Sequence, residues 1–115
     1  MPPEVQEIPP LIHEALLALC RLGSPREVCG YVGQSDGRWC LLPVTNVHAD
    51  PENFYRMDEY ETLEAWNLAH VTIIGEYHSH PHGPARPSST DLRYAVPGLR
   101  HWIVTPESVI EWESS

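Results

Sequence analysis

The strongest constraint on the fold is an apolar, β-type segment, residues 71–77, that leads directly into the polar tetrapeptide His78-Ser79-His80-Pro81. A short run rich in β-branched and aromatic residues, ended by a loop with Pro and Gly, predicts a strand. Because alternate residues of a strand project to the same side, this strand would bring the imidazoles of His78 and His80 to one point. We therefore expect residues 71–77 to form the central strand of a sheet.

Two further polar residues follow the histidines at a spacing that suits a metal site. Ser88 lies seven positions after Pro81, and Asp91 lies three positions after Ser88. Residues three apart at the start of a helical turn share a face, so the hydroxyl and the carboxylate can approach the same ion. A catalytic zinc usually keeps three N or O ligands from the protein and leaves a fourth position to water. His78, His80 and Asp91 supply that set, and the sequence predicts a Zn²⁺ site.

Such a site also needs a group that carries protons. Zinc lowers the pKa of its water to about 7, so hydroxide is available at neutral pH. A nearby base must still take the proton and return it to the leaving amine. We expect a carboxylate outside the metal shell to do this, but the spacing of carboxylates along the chain does not single one out.

The rest of the chain predicts a mixed α/β fold. Apolar residues at helical spacing indicate an amphipathic helix over residues 11–22, and a Ser-Asp-Gly turn at residues 35–37 between two β-type segments predicts a hairpin. With 42% hydrophobic residues, we expect residues 1–115 to form a single compact domain, a mixed β-sheet flanked by helices. The remaining predicted elements are strands over 27–33, 39–44, 54–57, 102–105 and 108–112, a helix over 59–70 capped by Asp58, and a short helix over 89–94. In the helix over 59–70, Tyr60, Leu63, Trp66 and Leu68 predict a broad apolar face.

Composition argues against several classes of function. The net charge of −9 opposes nucleic-acid binding, which depends mainly on Lys and Arg contacts with phosphates. No segment approaches the roughly 18 continuous apolar residues of a membrane span, and the Pro-rich start lacks the basic and apolar regions of a signal peptide. We therefore expect a cytoplasmic protein that binds neither nucleic acid nor membrane. The three cysteines lack metal-type spacing and predict small buried side chains, although two of them could pair.

With these residues in place, the chain resembles the JAMM (MPN+) metalloprotease family. The resemblance rests on Glu27-Val28-Cys29-Gly30, then HSHP, then a serine and an aspartate with two residues between them, and it covers nearly the whole chain. It implies the MPN/JAMM fold, with its cytidine-deaminase-like architecture, and a zinc isopeptidase that cleaves after the C-terminal glycine of ubiquitin or a ubiquitin-like protein. Carried over position by position, it implies that His78, His80 and Asp91 bind zinc, that Glu27 is the general acid/base, and that Ser88 donates a hydrogen bond to the oxyanion.

The chain is short for this family and resembles its minimal prokaryotic form. The expected partner is therefore a small ubiquitin-like or sulfur-carrier protein that ends in Gly-Gly. Such a tail must lie extended to enter a narrow site, and a strand edge can hold it through main-chain hydrogen bonds. We expect this edge beside the HSHP-bearing strand or along residues 54–57. The type of scissile bond and the oligomeric state stay open.

Two other functions stay open on the sequence alone. The chain is also similar to the DNA-repair-associated RadC family, which usually has Asn where this chain has Ser79; the acidic composition opposes DNA binding. A non-catalytic scaffold of the MPN type is the other alternative, but such members generally lose the metal ligands. Single residues have structural alternatives as well. Glu27 could be a surface carboxylate on an edge strand, and Ser88 could be only a helix N-cap, a role for which Ser89 is equally suited.

The chain contains no lysine, and its seven cationic side chains are all arginines. A GC-rich genome, in which Arg codons displace Lys codons, accounts for this without any function. The alternative is that an enzyme working where tails are attached to lysine amines avoids becoming a substrate itself. The sequence does not decide between these explanations.

Overall fold

The computed structural model describes residues 6–113. Within them it contains helices α1 (Pro10–Gly23), α2 (Glu59–Trp66) and α3 (Ser89–Tyr94), and strands β1 (Cys29–Ser35), β2 (Arg38–Val44), β3 (Thr72–Ser79), β4 (Arg100–Val104) and β5 (Val109–Glu113). The strands form one sheet in the order β2-β1-β3-β4-β5, in which β3 and β4 are parallel and the other neighbours antiparallel. The predicted mixed sheet flanked by helices is confirmed. Since residues 1–5 and 114–115 lie outside the described part, a single domain over 1–115 stays a prediction.

β3 is the central strand, as its apolar sequence predicted. β1 pairs with one edge of β3 and β4 with the other, and the pairing with β4 continues to Ser79. Just beyond it, the backbone N–H of His80 donates to the carbonyl of Val104 at 2.8 Å. Both edges of the histidine-bearing strand are therefore occupied. The expectation that an extended tail pairs beside this strand is wrong, and residues 54–57 are left as the candidate edge.

The β1–β2 hairpin forms through a two-residue turn, as predicted. Asp36 and Gly37 have φ angles of 51° and 77°, the left-handed conformation that this kind of tight turn requires at both central positions. The strand itself begins later than predicted, at Cys29. Glu27 therefore lies just ahead of β1 rather than within an edge strand.

The two faces of the sheet carry different layers. α1 covers one face, where a close approach between β3 and β4 depends on Gly75, because a Cβ there would overlap the backbone carbonyl of Arg100. The opposite face carries α2 over a smaller apolar cluster, together with His78. The larger core, between α1 and the sheet, consists of Ile12, Leu16, Leu17, Cys20, Val32, Tyr77, Trp102 and Val104. The site therefore lies on the face that has less apolar cover.

α2 is shorter than predicted. Asp58 caps its start, as expected, by accepting a hydrogen bond from the backbone N–H of Glu61 at 2.9 Å. The helix then ends at Trp66 rather than at residue 70. The Asn67 side-chain amide donates to the Leu63 carbonyl at 2.7 Å and so satisfies a terminal carbonyl. The chain turns away at His70, whose φ of 67° does not fit a right-handed helix.

The apolar face predicted for α2 is also wrong. Leu63 and Trp66 are 62% and 48% exposed, and the buried residue of the helix is Ala65. A small side chain lets this short helix lie close to the sheet, whereas the larger apolar side chains stay at the surface. No helix within residues 6–113 is both long enough and apolar enough to cross a membrane.

Candidate active site

The structure brings together the three residues that the sequence predicted as metal ligands. The two Nε2 atoms of His78 and His80 lie 3.1 Å apart. The Oδ2 atom of Asp91 is 3.1 Å from the first and 3.2 Å from the second. His78 reaches this point from the end of β3, His80 from the residue after that strand, and Asp91 from α3. Three ligand-type atoms thus form a nearly equilateral triangle, and all three side chains are at most 10% exposed.

This triangle fits a tetrahedral divalent ion. With bonds of about 2.0–2.1 Å, two ligand atoms of a tetrahedral zinc lie about 3.3–3.4 Å apart, close to the observed separations. Glu27 also belongs to the cluster, because its carboxylate and the two imidazoles offer ligand atoms that all lie within 4.8 Å of one another. Two sets of three metal ligands are therefore possible, and both contain His78 and His80. The third ligand is Asp91 in one set and Glu27 in the other. Asp91 makes the tighter contacts, which favours it over Glu27 as the third ligand, and the predicted ligand set stays a prediction.

The tautomer of His80 suits metal binding. Its Nδ1 lies 2.8 Å from the carbonyl of Pro84, and since a carbonyl only accepts, Nδ1 must carry the proton. Nε2 points at His78 and Asp91, and it can offer its lone pair to a metal ion once the proton that it donates to Asp91 has left. Such a carbonyl partner on the far nitrogen is a common means of orienting a histidine ligand. The loop after HSHP therefore fixes the orientation of the His80 ring through the Pro84 carbonyl.

Asp91 is held in place by a reciprocal cap at the start of α3. The Ser88 hydroxyl accepts from the Asp91 N–H at 3.1 Å, and the Asp91 Oδ2 accepts from the Ser88 N–H at 2.8 Å. Ser88, and not Ser89, is the N-cap. Burial acts to raise the pKa of Asp91, but hydrogen bonds with His78, His80 and the Ser88 N–H outweigh it and hold the pKa well below its ordinary value. The carboxylate is thus ionised, as a ligand must be.

The capping role of Ser88 does not use up its hydroxyl. In the cap the oxygen accepts, so the hydroxyl hydrogen stays available to a further acceptor. Ser88 is exposed and lines a cavity together with Glu27 and Asp91. The structural role and the predicted oxyanion role are therefore compatible, and the second stays a prediction.

Glu27 is buried, with 7% of its surface exposed. Its backbone N–H donates to the Pro51 carbonyl at 2.7 Å, and its own carbonyl accepts from the Asn46 side chain at 3.0 Å. Within residues 6–113 its carboxylate makes no hydrogen bond, and it faces the cavity. Burial is the largest effect and raises the pKa of Glu27 to about 7; His80 opposes this rise, whereas the charges of Asp91 and Asp50 add to it. A carboxyl with such a pKa can both accept and release a proton near neutral pH.

Ser79 and Asn46 position Glu27, and sequence reasoning missed both roles. The Ser79 hydroxyl accepts from the Val28 N–H at 2.8 Å, and the Ser79 N–H donates to the Val28 carbonyl at 2.9 Å. Asn46 also accepts from the Arg56 N–H at 3.0 Å through its side-chain oxygen. The serine of HSHP could have been noticed as a buried polar residue inside the motif. Asn46 lies in a loop, and nothing in its spacing marks it.

Tyr55 is a second residue that sequence reasoning missed. Its ring is stacked on the imidazole of His78, with centroids 4.4 Å apart and an interplanar angle of 22°. The predicted strand over residues 54–57 is not formed. Instead, an isolated bridge joins Met57 to Asn46, and residues 54–56 have no regular secondary structure. Tyr55 therefore reaches the site from a loop and limits the rotation of His78.

Two cavities open at the site, and a third adjoins one of them. The central cavity, of about 380 Å³, is lined by Glu27, Ser88 and Asp91 and by Phe54, Tyr55 and Tyr94. Tyr55 and Tyr94 also line the aromatic cavity, of about 480 Å³, which continues over the sheet beside α2. On the other side, the loop cavity of about 180 Å³ is bounded by residues 81–84. The cluster of potential ligands thus lies where a long groove and a short pocket meet.

Comparison with known proteins places the chain in a family. A family model described as prokaryotic homologs of the JAB domain matches residues 10–115. The desampylase of Haloferax volcanii is 39% identical, over 83% of this chain and 76% of its own length. The CysO-cysteine peptidase of Mycobacterium tuberculosis is 32% identical, over 78% of this chain and 65% of its own length. The chain thus spans less than two thirds of the second relative.

The structural comparison agrees with the fold. A JAB1/MPN domain protein from Archaeoglobus fulgidus superposes with a TM-score of 0.55 at 20% identity, covering 87% of this chain and 82% of that one. At this identity the likeness concerns the fold alone. The expected MPN/JAMM architecture is therefore confirmed.

Proposed function

Because the chain belongs to the prokaryotic JAB-domain family, we propose that it is a zinc-dependent isopeptidase. Its substrates would be ubiquitin-like or sulfur-carrier proteins, cleaved after a C-terminal Gly-Gly. The relatives named desampylase and CysO-cysteine peptidase support a hydrolase that removes groups from such carriers. Its cytoplasmic location and its lack of a nucleic-acid partner stay predictions.

One observation carries this proposal. Three ligand atoms from His78, His80 and Asp91 converge at 3.1–3.2 Å, and a buried carboxylate without a hydrogen-bond partner within residues 6–113 stands beside them. An ionisable group buried beside a cluster of ligand atoms is typical of a catalytic site and favours an enzyme over a non-catalytic scaffold. When bound there, a zinc ion would polarise the scissile carbonyl and lower the pKa of a water to about 7.

The residues of the chain supply the remaining steps. Glu27 takes a proton from the attacking water and passes it to the amine that leaves, for which a pKa of about 7 is well matched. The Ser88 hydroxyl donates to the oxygen that becomes negative as the carbonyl is attacked. Asp91 is kept in place by its cap, and Tyr55 and the Pro84 carbonyl hold the two imidazoles.

The groove suggests how a tail is held. The central and aromatic cavities share Tyr55 and Tyr94 in their linings, and side by side they offer room for an extended segment. Residues 54–57 lie along this groove and are paired on one side with the loop at Asn46. We propose that the tail runs beside them, where glycine permits close backbone approach. Amide exchange that stayed unchanged in this segment on adding a Gly-Gly-ended peptide would contradict this placement.

The activity can be tested directly. Zinc-loaded protein would be incubated with Gly-Gly-ended carrier proteins of the host, supplied as linear fusions and as lysine adducts, and the products identified by mass spectrometry. We expect release of the free carrier with an intact Gly-Gly end, and no release by the Glu27→Gln variant. A failure to cleave either form, or equal cleavage by the variant, would reject the proposal.

A further inference from the structure

His48 is a residue of the central cavity that the proposed reaction does not use. It lines this cavity together with Glu27 and Ser88, and it is partly buried. It belongs to the loop that leads into residues 54–57, which border the proposed path of the tail. What His48 can contribute there depends on which of its two ring nitrogens carries a hydrogen.

A contact with Asp50 fixes the tautomer of His48. The backbone N–H of Asp50 donates to the Nδ1 atom of His48 at 2.9 Å. Because a backbone N–H can only donate, Nδ1 must offer its lone pair, and the hydrogen of the neutral ring is then on Nε2. The imidazole therefore accepts a hydrogen bond at Nδ1 and presents a donor at Nε2.

The ring that carries this donor is held in place by its neighbours. The backbone N–H of His48 donates to the Asn46 side-chain oxygen at 3.0 Å, and the imidazole is stacked on the Phe54 ring, with centroids 5.1 Å apart and an interplanar angle of 30°. Since the two nitrogens of an imidazole point in nearly opposite directions, Nε2 is turned away from the Asp50 backbone. Within residues 6–113 the structure gives Nε2 no hydrogen-bond partner. A donor whose direction is set beforehand loses little conformational entropy when a ligand binds.

A Gly-Gly tail offers few groups that a protein can recognise. Its last two residues have no side chains, so their backbone carbonyls and N–H groups are the only polar groups available for specific contacts. The stack on Phe54, which lines the same cavity, places His48 at the start of residues 54–57 and so next to the proposed path of the tail. A donor without a partner at this position matches a backbone carbonyl, which has lone pairs to accept it.

We propose that His48 is a specificity-determining residue, which donates from Nε2 to a backbone carbonyl of the carrier's C-terminal tail. This bond holds the Gly-Gly end extended in the central cavity, and the inference rests on the proposed function. His48 has a structural role as well, because Nδ1 supports the turn at Asp50. Since the two roles use different nitrogens, substitutions that mimic one nitrogen at a time separate them.

Two substitutions make this separation. Asparagine places its side-chain oxygen near the position of Nδ1, so His48→Asn keeps the acceptor for the Asp50 N–H and removes the donor. Glutamine places its amide nitrogen near the position of Nε2, so His48→Gln keeps the donor and removes the acceptor. In anisotropy titrations of metal-free protein with a labelled peptide ending in Gly-Gly, His48→Asn should bind about threefold to tenfold more weakly than the parent, the loss expected for one hydrogen bond. His48→Gln should bind within about twofold of the parent.

The same order should appear in the cleavage of a linear Gly-Gly fusion by zinc-loaded protein. His48→Asn should raise KM by the same factor as it weakens peptide binding, with kcat and zinc content close to those of the parent. If His48 only supports the turn, the order reverses and His48→Gln becomes the weaker variant. His13→Asn is the matched control, the same exchange on α1 at the other face of the sheet, and should change neither KM nor peptide affinity.

Modified peptides identify the carbonyl that accepts. In each of them one peptide bond near the C-terminal end is replaced by an alkene, which has no carbonyl oxygen. One such peptide should bind the parent more weakly than the unmodified peptide does but bind His48→Asn equally well, because that hydrogen bond is already missing. Losses that simply add at every position, or a His48→Asn variant that binds like the parent or better than His48→Gln, would overturn the inference while the proposed function stands. A parent protein that cleaves no Gly-Gly fusion would reject the proposed function, and this inference with it.

Discussion

Replacing the buried Glu27 with glutamine should stabilise the metal-free protein at alkaline pH while it abolishes turnover. Glutamine has nearly the same shape as glutamate but cannot ionise. Burial raises the pKa of Glu27 from its ordinary 4.5 to about 7. The folded protein therefore binds the proton more tightly than the unfolded chain, and stability is lost as pH rises through this interval. The variant avoids this loss, so the two proteins should differ most above pH 7.

The size of the effect follows from the two pKa values. An interval from 4.5 to about 7 corresponds to about 3 kcal/mol of unfolding free energy once both states are ionised. Most of this difference should develop between pH 4.5 and pH 8. A single exposed carboxylate would contribute far less, because its pKa hardly changes on folding.

The assay is urea unfolding of chelator-treated protein at pH 4.5 and pH 8, with Glu14→Gln as a control for the change in net charge. The stability gain of Glu27→Gln over the parent should grow by about 3 kcal/mol between the two pH values, and the control should show no such growth. Zinc-loaded Glu27→Gln should have no measurable turnover. A gain that does not depend on pH would refute the burial argument, and near-normal turnover would refute the role of the carboxylate.

Three further predictions concern residues around the site. Ser88→Ala should lower kcat by about two to three orders of magnitude, because the oxyanion donor is lost, and should lower the free energy of unfolding by about 1 kcal/mol, because the cap is lost. Metal analysis should still find zinc in this variant, and the control Ser89→Ala should change neither kcat nor stability. Normal turnover in Ser88→Ala would reject its catalytic role. Tyr55→Leu should weaken zinc binding by about threefold to tenfold in a chelator competition titration, because the stacked ring no longer restrains His78. Tyr55→Phe keeps the ring and should bind zinc as the parent does. Equal zinc affinities of the two variants would contradict a restraining role for the ring. Asp58→Ala should lower stability by about 1 kcal/mol in thermal unfolding without changing kcat, and an unchanged melting temperature would show that this cap does not matter.

Local geometry explains which parts of the site could be predicted. His78 and His80 are two residues apart at the end of a strand, and Ser88 and Asp91 form the first turn of a helix, so short-range rules suffice to place each pair. The apolar sequence of residues 71–77 then fixed the strand in the centre of the sheet, where both pairs could meet. Glu27 was identified only through the resemblance to a family, because no local rule relates it to the histidines.

What could not be predicted depends on contacts between distant segments. Asn46 and Tyr55 act from irregular loops, and their partners lie on segments whose positions are set by the whole fold. The predicted apolar face of α2 failed for a related reason. The apolar residues were spread broadly around the helix, and α2, which ends at Trp66, buries Ala65 rather than its larger apolar neighbours.

The central claim is that His78, His80 and Asp91 hold one divalent ion while Glu27 stays outside its ligand shell. Metal analysis after dialysis against zinc, combined with affinity titration, would be made on the parent and on four single variants. The parent and Glu27→Gln should each retain one zinc ion per chain with similar affinity, and alanine at any of the other three positions should remove it. If zinc is lost on replacing Glu27 but kept on replacing Asp91, the claim is contradicted, because Glu27 would then be the ligand and Asp91 would lie outside the ligand shell.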